Sequence, residues 1–248
     1  MKLALTAFML CLAVSAQTKD KAAPAPAKAA TPAPATKAAP APAKAATPAP
    51  TAKAPAAKAA AVDLTKPDTI KGKAPDIFIA RLETTKGNID IRVQRNWAPN
   101  GADRFYNLVR AGFYDNIYFF RVISGFMAQF GISSKPALSR VWSDRDMLDD
   151  RVIASNKRGF ITYAQTSAPN SRSTQLFINT GSNERLDSQR FAPFGEVVEG
   201  MNVVDSIYSG YNEQPEQDRI SLEGEAYLNR YFPRLDKIIK ATILQVVE

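Results

Sequence analysis

The sequence predicts a mainly β domain, a closed barrel or a sandwich, in residues 62–248 of a 248-residue chain. Three observations predict it. Short β-type runs recur through this region, only two stretches carry a helical stripe, and strands and helices do not alternate as in a parallel α/β sheet. Residues 77–93 read as a hairpin. Ile77, Ile79 and Leu82 precede the turn Lys86-Gly87-Asn88, and Ile89, Ile91 and Val93 then alternate with Asp90 and Arg92. Residues 99–111 read as a helix: Pro99 suits its first turn, Phe105, Leu108 and Val109 share a face, and Gly112 ends it. Further β-type runs lie at 117–123, 127–132, 160–164, 174–179, 194–199 and 241–247. Met201–Tyr208 reads as a second helix, striped by Val203, Val204 and Ile207.

The first quarter of the chain is different material. Met1–Ala16 reads as an export signal: Lys2 is the positive end, Leu3 to Val14 are nearly all apolar, and Val14-Ser15-Ala16 puts small residues before a cut at Gln17. The apolar run is too short to span a bilayer, which needs about 20 residues. Residues 17–61 read as a disordered spacer. Positions 21–61 hold only Ala, Pro, Lys and Thr, and KAAPAPAKAATPAP at 21–34 recurs unchanged at 37–50. Ala-Pro and Thr-Pro steps block helix and favour polyproline II. The stretch is expected to be a semi-rigid positive spacer, with contact to an anionic envelope surface as its sharper use.

Charge and absent residues narrow the function. Of the net charge of +8, the leader and spacer carry +7; residues 62–248 carry 24 Lys and Arg against 23 Asp and Glu. A nucleic-acid-binding fold is therefore a poor reading. There is no histidine, and the one cysteine is Cys11 in the leader. This removes Ser-His-Asp and Cys-His nucleophile systems, His-ligated zinc, and disulfides in the exported form. Chemistry here has to come from Arg, Gln, carboxylates, hydroxyls or the backbone.

One stretch carries a resemblance. Phe119-Phe120-Arg121-Val122-Ile123-Ser124-Gly125-Phe126-Met127-Ala128-Gln129-Phe130-Gly131 resembles the signature of cyclophilins, the cyclosporin-binding class of peptidyl-prolyl isomerases. Thr85–Ile89, Asn107–Val109, Gly159–Ala164, Ser173–Ile178, Leu186-Asp187 and Phe194–Met201 agree in the family's order. The resemblance spans 77–248. It implies a closed eight-stranded antiparallel β-barrel capped by two α-helices, binding of proline-containing polypeptides, and acceleration of X-Pro rotation in exported proteins. It implies no cofactor and no metal, since no bond is broken. A monomer is expected, periplasmic or extracellular, without membrane insertion once the signal is cut. The alternative is a proline-peptide binding module whose catalysis has decayed.

By the same resemblance Arg121 is the catalytic donor, aimed at the lone pair that the proline nitrogen gains as the amide twists. Phe126, Met127 and Phe177 match the proline pocket, with Leu186 at its rim. Gln129 matches a glutamine that binds the substrate carbonyl and steadies the arginine. Ala164 and Gln165 match a strand edge that pairs with the peptide backbone, and Gln175 another groove residue. By period alone, the apolar members of this set would be barrel core. There are departures. Phe120 stands where many members have His, Arg185 where a Trp grips cyclosporin, and Arg190 or Phe191 where a further His would follow. The loop Thr166–Ser173 is one residue longer than usual. Ser133–Asn156 resembles the family poorly, and Tyr211–Lys237 looks like an insertion expected only to pack over the barrel.

Overall fold

The computed structural model of the protein describes residues 62–247; the export segment 1–16 and the spacer 17–61 lie outside the described residues. β1 (Ile77–Thr84) and β2 (Gly87–Gln94) pair antiparallel about the predicted turn, with Thr84 opposite Gly87. Strand side chains alternate between faces. The inward set is Phe78, Ala80 and Leu82 with Ile89, Ile91 and Val93, all fully buried. Ile77 and Ile79 lie on the half-buried opposite face, because Leu82 sets the other phase. α1 (Pro99–Arg110) starts at its proline and buries Ala102, Phe105, Leu108 and Val109 against this hairpin's core.

The run expected at 117–123 is split. Ile117–Tyr118 forms β3 and Arg121–Ile123 forms β4, with Phe119-Phe120 between them. β5 (Met127–Phe130), α2 (Pro136–Trp142), β6 (Phe160–Tyr163) and β7 (Leu176–Asn179) follow. A 3-10 turn (Glu184–Gln189), β8 (Pro193–Glu199) and α3 (Met201–Ser206) come next. Then come α4 (Gln217–Glu223), α5 (Glu225–Tyr231) and β9 (Lys237–Val247), which starts four residues before the predicted 241.

The strands form one antiparallel sheet in the order β3-β9-β1-β2-β8-β6-β7-β5-β4. The expected closed eight-stranded barrel with two helices is therefore corrected. Among the described residues nine strands make a sheet curled into an open half-barrel, with five α-helices. The reason lies at its edges. β3 continues along β9, where Phe119 N–H donates to Asp236 O at 3.0 Å. β4 leaves that line, and its outer edge meets the insertion instead: Val122 N–H donates to Asn212 O at 3.3 Å. The two edge strands are neighbours in sequence, yet each is satisfied by a different partner.

The main core fills the concave side of the sheet with Phe78, Phe105, Tyr114, Phe119, Phe130, Tyr163 and Phe194 among its largest members. A second cluster lies under the insertion. There Ile220, Tyr227, Leu228, Phe232 and Leu235 pack on Tyr118, Phe120 and Ile132. Phe119 and Phe120 thus point into different cores. The position where the family's histidine was expected is apolar because the insertion buries it: Phe120 is 1% exposed.

Candidate active site

Alternation along the strands builds the site. Val122, Ala128, Phe130, Leu176 and Ile178 point into the main core. Their neighbours Arg121, Met127, Gln129 and Phe177 therefore point to the other face. Register then lines them up, with Arg121 opposite Gln129 across β4 and β5, and Gln129 opposite Phe177 across β5 and β7. Gly125 makes the β4–β5 turn at φ 72°. Gly131 ends β5 where a Cβ would stand 2.4 Å from Thr174 O, so only glycine allows the strands this close.

These residues line a groove of about 380 Å³. Arg121, Phe126, Met127, Gln129, Ala164, Gln165, Gln175, Phe177 and Leu186 all border it, so the structure brings every predicted site residue together. Met127, Phe177 and Leu186 form a small apolar cluster of their own, joined by Phe126, Ala164 and Phe191. They are not barrel core, which their spacing alone would have suggested. A larger hollow of about 700 Å³, lined in part by Pro67, Arg104 and Trp142, contains none of the predicted residues. Size is thus no guide to the site here.

The polar edge of the groove is a relay. Arg121 Nη1 donates to Gln129 Oε1 at 3.2 Å and lies 3.8 Å from Met127 Sδ. Gln129 Nε2 in turn donates to Gln175 Oε1 at 2.9 Å. The guanidinium carbon stands 5.9 Å from the Phe126 ring centre. Arg185, in place of a rim tryptophan, is exposed and lies over the same ring at 4.9 Å. Ala164 and Gln165 differ in what they can offer. Ala164 N–H donates to Gln175 O at 2.9 Å, so its amide serves β7. Antiparallel strands present successive residues to opposite neighbours, and β8 meets β6 only as far as Thr162. The backbone of Gln165 therefore faces an uncovered edge. Its side-chain Nε2 donates to Gln189 O at 2.7 Å, which leaves Oε1 buried without a partner.

Behind the pocket wall lies a polar network centred on Asn156, which no sequence pattern marks. Asn156 is fully buried. Its Nδ2 donates to Asp187 Oδ1 at 2.7 Å and to Phe191 O at 2.8 Å, and its Oδ1 accepts from Thr162 Oγ1 at 2.9 Å. Asn183 Nδ2 donates to Phe126 O at 2.8 Å. These bonds fix the turn that carries Leu186 and the ring of Phe191, which meets Phe177 edge-on at 5.8 Å. Burial pushes the Asp187 carboxyl up, but hydrogen bonds from Ser155 and Asn156 outweigh it and hold the carboxyl below its ordinary value. The lengthened 166–173 loop is tied down on its far side, where buried Arg172 pairs with Asp149 and donates to Arg190 O. Groove residues beyond the predicted set are Phe191, Thr166, Ser171, Ser173 and Gln217. Gln217 belongs to the insertion, where nothing in the resemblance pointed.

No helix among the described residues is long and apolar enough to cross a membrane, and no group of three or more His, Cys, Asp or Glu is placed to hold a metal.

Comparison with known proteins agrees with this geometry. The family model of cyclophilin type peptidyl-prolyl cis-trans isomerases matches residues 79–223. A peptidyl-prolyl cis-trans isomerase of Acinetobacter baylyi is 35% identical, over 52% of this chain and 71% of its own. Peptidyl-prolyl cis-trans isomerase B of Escherichia coli is 36% identical, over 51% of this chain and 81% of its own. A cyclophilin type isomerase of Cryptosporidium parvum, solved in the presence of the dipeptide ala-pro, has a TM-score of 0.52 at 21% identity, covering 67% of this chain and 99% of that one. At that identity the last likeness is one of fold.

Proposed function

This chain belongs to the cyclophilin-type peptidyl-prolyl cis-trans isomerase family and is an isomerase of that type, and we propose that Arg121 carries its catalysis by donating to the proline nitrogen in the twisted amide. Rotation about an X-Pro bond faces a barrier of about 18–20 kcal/mol. At the midpoint, conjugation is lost and the nitrogen gains a lone pair. A fixed N–H that meets this lone pair binds the midpoint more tightly than either planar isomer, which is the condition for acceleration. A thousandfold gain requires about 4 kcal/mol of such preference.

The observation that carries this reading is the guanidinium of Arg121 at the edge of an apolar seat made by Phe126, Met127 and Phe177. The proline ring occupies that seat, Leu186 and Phe191 close it, and Gln129 accepts from Arg121 while Gln175 orients Gln129. The uncovered Gln165 backbone pairs with the substrate chain. An Ala-Pro step fits such a seat, and the Cryptosporidium relative was solved with that dipeptide present. The test is exchange NMR on an Ala-Pro peptide. Arg121→Ala should bring exchange close to the uncatalysed rate with the fold intact; near-wild-type exchange overturns the assignment.

The setting belongs to the same proposal. Met1–Ala16 exports the protein, the Ala/Pro/Lys spacer holds the domain off an anionic envelope surface, and the isomerase, as a monomer, assists exported chains through slow X-Pro steps. Its support is the sequence of 1–61. Cell fractionation of full-length protein and of a chain lacking residues 17–61 tests it; cytoplasmic retention of the full chain overturns export.

A further inference from the structure

The insertion reaches the groove with a charged side chain. Glu213 Oε2 accepts from Arg121 Nε at 2.8 Å and lies 2.7 Å from Nη2. Gln129 holds the other edge of the same guanidinium through Nη1. A guanidinium is planar and presents five N–H bonds in one rigid fan. With Nε directed at Glu213 and Nη1 at Gln129, the plane is clamped from both sides. Nη2 carries two N–H bonds, and Glu213 is its one polar neighbour among the described residues. At least one Nη2 N–H is left for a ligand.

The clamp is anchored, which separates it from a chance meeting of surface charges. Val122, next to Arg121, donates its N–H to the carbonyl of Asn212, next to Glu213. Gln214 N–H closes a turn onto Tyr211 O at 2.9 Å, with Asn212 at φ 47°. Tyr211 meets Tyr208 and Phe232 edge-on at 5.0 and 5.1 Å. Glu213 therefore sits on a turn fastened to the strand that bears the arginine on one side and to the insertion's core on the other.

We infer that Glu213 is a positioning residue for isomerisation. It fixes the rotation of the Arg121 guanidinium so that the remaining Nη2 N–H is offered to the bound proline. The inference rests on the reading of Arg121 as the donor. A free arginine samples many rotamers, whereas catalysis needs one orientation. Glu213 is 61% exposed at its side chain, and exposed pairs add little to stability. Its effect therefore falls on turnover rather than on folding.

Exchange NMR of a saturating Ala-Pro peptide, with peptide titration for Kd, tests this on full-length protein. Glu213→Ala should lower turnover about fivefold with Kd changed less than about twofold. Glu213→Gln, whose amide oxygen can accept the same bonds, should keep roughly half or more of wild-type turnover. The heteronuclear NOE of Arg121 Nε should fall in Glu213→Ala and persist in Glu213→Gln. Turnover of Glu213→Ala at or above wild type overturns the inference, and so does Glu213→Gln matching Glu213→Ala, which would mean that charge alone acts. Arg121→Ala separates the two levels. If it abolishes turnover while Glu213→Ala does not matter, the donor stands and the clamp falls; if it leaves turnover intact, both fall.

Discussion

Replacing Asn156 with alanine should weaken the fold and the pocket together. Asn156 is fully buried, and its amide bonds to Asp187, Phe191 and Thr162 at 2.7 to 2.9 Å. Asp187 would keep its bonds from Ser155 and from the Asn156 backbone N–H. Two groups would be stranded: the Phe191 carbonyl and the hydroxyl of Thr162, which is itself fully buried. Each stranded buried group costs about 1–3 kcal/mol. A water entering the vacated amide volume recovers part of this, so a loss of about 3 kcal/mol is expected. For a domain of this size each kcal/mol moves Tm by about 2–4 °C, giving a fall of about 6–12 °C. The turn bearing Leu186 and Phe191 loosens at the same time, so the peptide Kd should rise. Thermal melts and peptide titration measure both effects. A Tm within about 2 °C of wild type and an unchanged Kd would show that the network is not what holds the wall.

Arg172→Ala removes a buried guanidinium from Asp149, which keeps Asn170 N–H at 3.0 Å and Arg190 at 3.5 Å, and takes the donor from the Arg190 carbonyl, so a loss of about 1–3 kcal/mol is expected; a denaturant midpoint equal to wild type would contradict this. The Asp187 carboxyl is held below its ordinary value, so its contribution is complete above the unfolded pKa of about 3.9 and is lost as pH falls through the lower folded value. Asp187→Asn should accordingly flatten the loss of stability below about pH 4, measured by denaturation across an acid series. Cyclosporin should inhibit weakly, because exposed Arg185 stands at the rim over Phe126 and a charge beside an apolar ligand has to be desolvated or turned away. Arg185→Trp should tighten inhibition, and stoichiometric inhibition of the wild-type protein would refute the argument.

The hairpin, α1 and the groove were legible because each follows a local rule. Alternation set the strand faces, proline and glycine marked the helix ends, and one contiguous signature carried Arg121, Phe126, Met127 and Gln129. Closure was not legible. Whether the 117–123 run makes one strand or two depends on what covers its edges, and the partners Asp236 and Asn212 lie about a hundred residues downstream. Asn156 and Glu213 were missed for the same reason. A lone Asn or Glu in a poorly matching segment has no pattern of its own, and its meaning comes from Thr162, Phe191 or Arg121 across the fold. The phase of β1 was ambiguous, because Ile79 and Leu82 lie on opposite faces of any strand.

The seam beneath the insertion makes host and addition mutually dependent. Tyr118, Phe120 and Ile132 are contributed by the framework, and Ile220, Tyr227, Leu228, Phe232 and Leu235 by the added stretch. Neither set is covered without the other. The boundary suggested by family likeness, residue 223, falls between α4 and α5 and would cut through this shared interior. Engineering on this protein should therefore treat 62–247 as indivisible. A version shortened across 211–235 would uncover an oily stripe immediately beside Arg121, and such a stripe invites self-association before it meets any proline peptide.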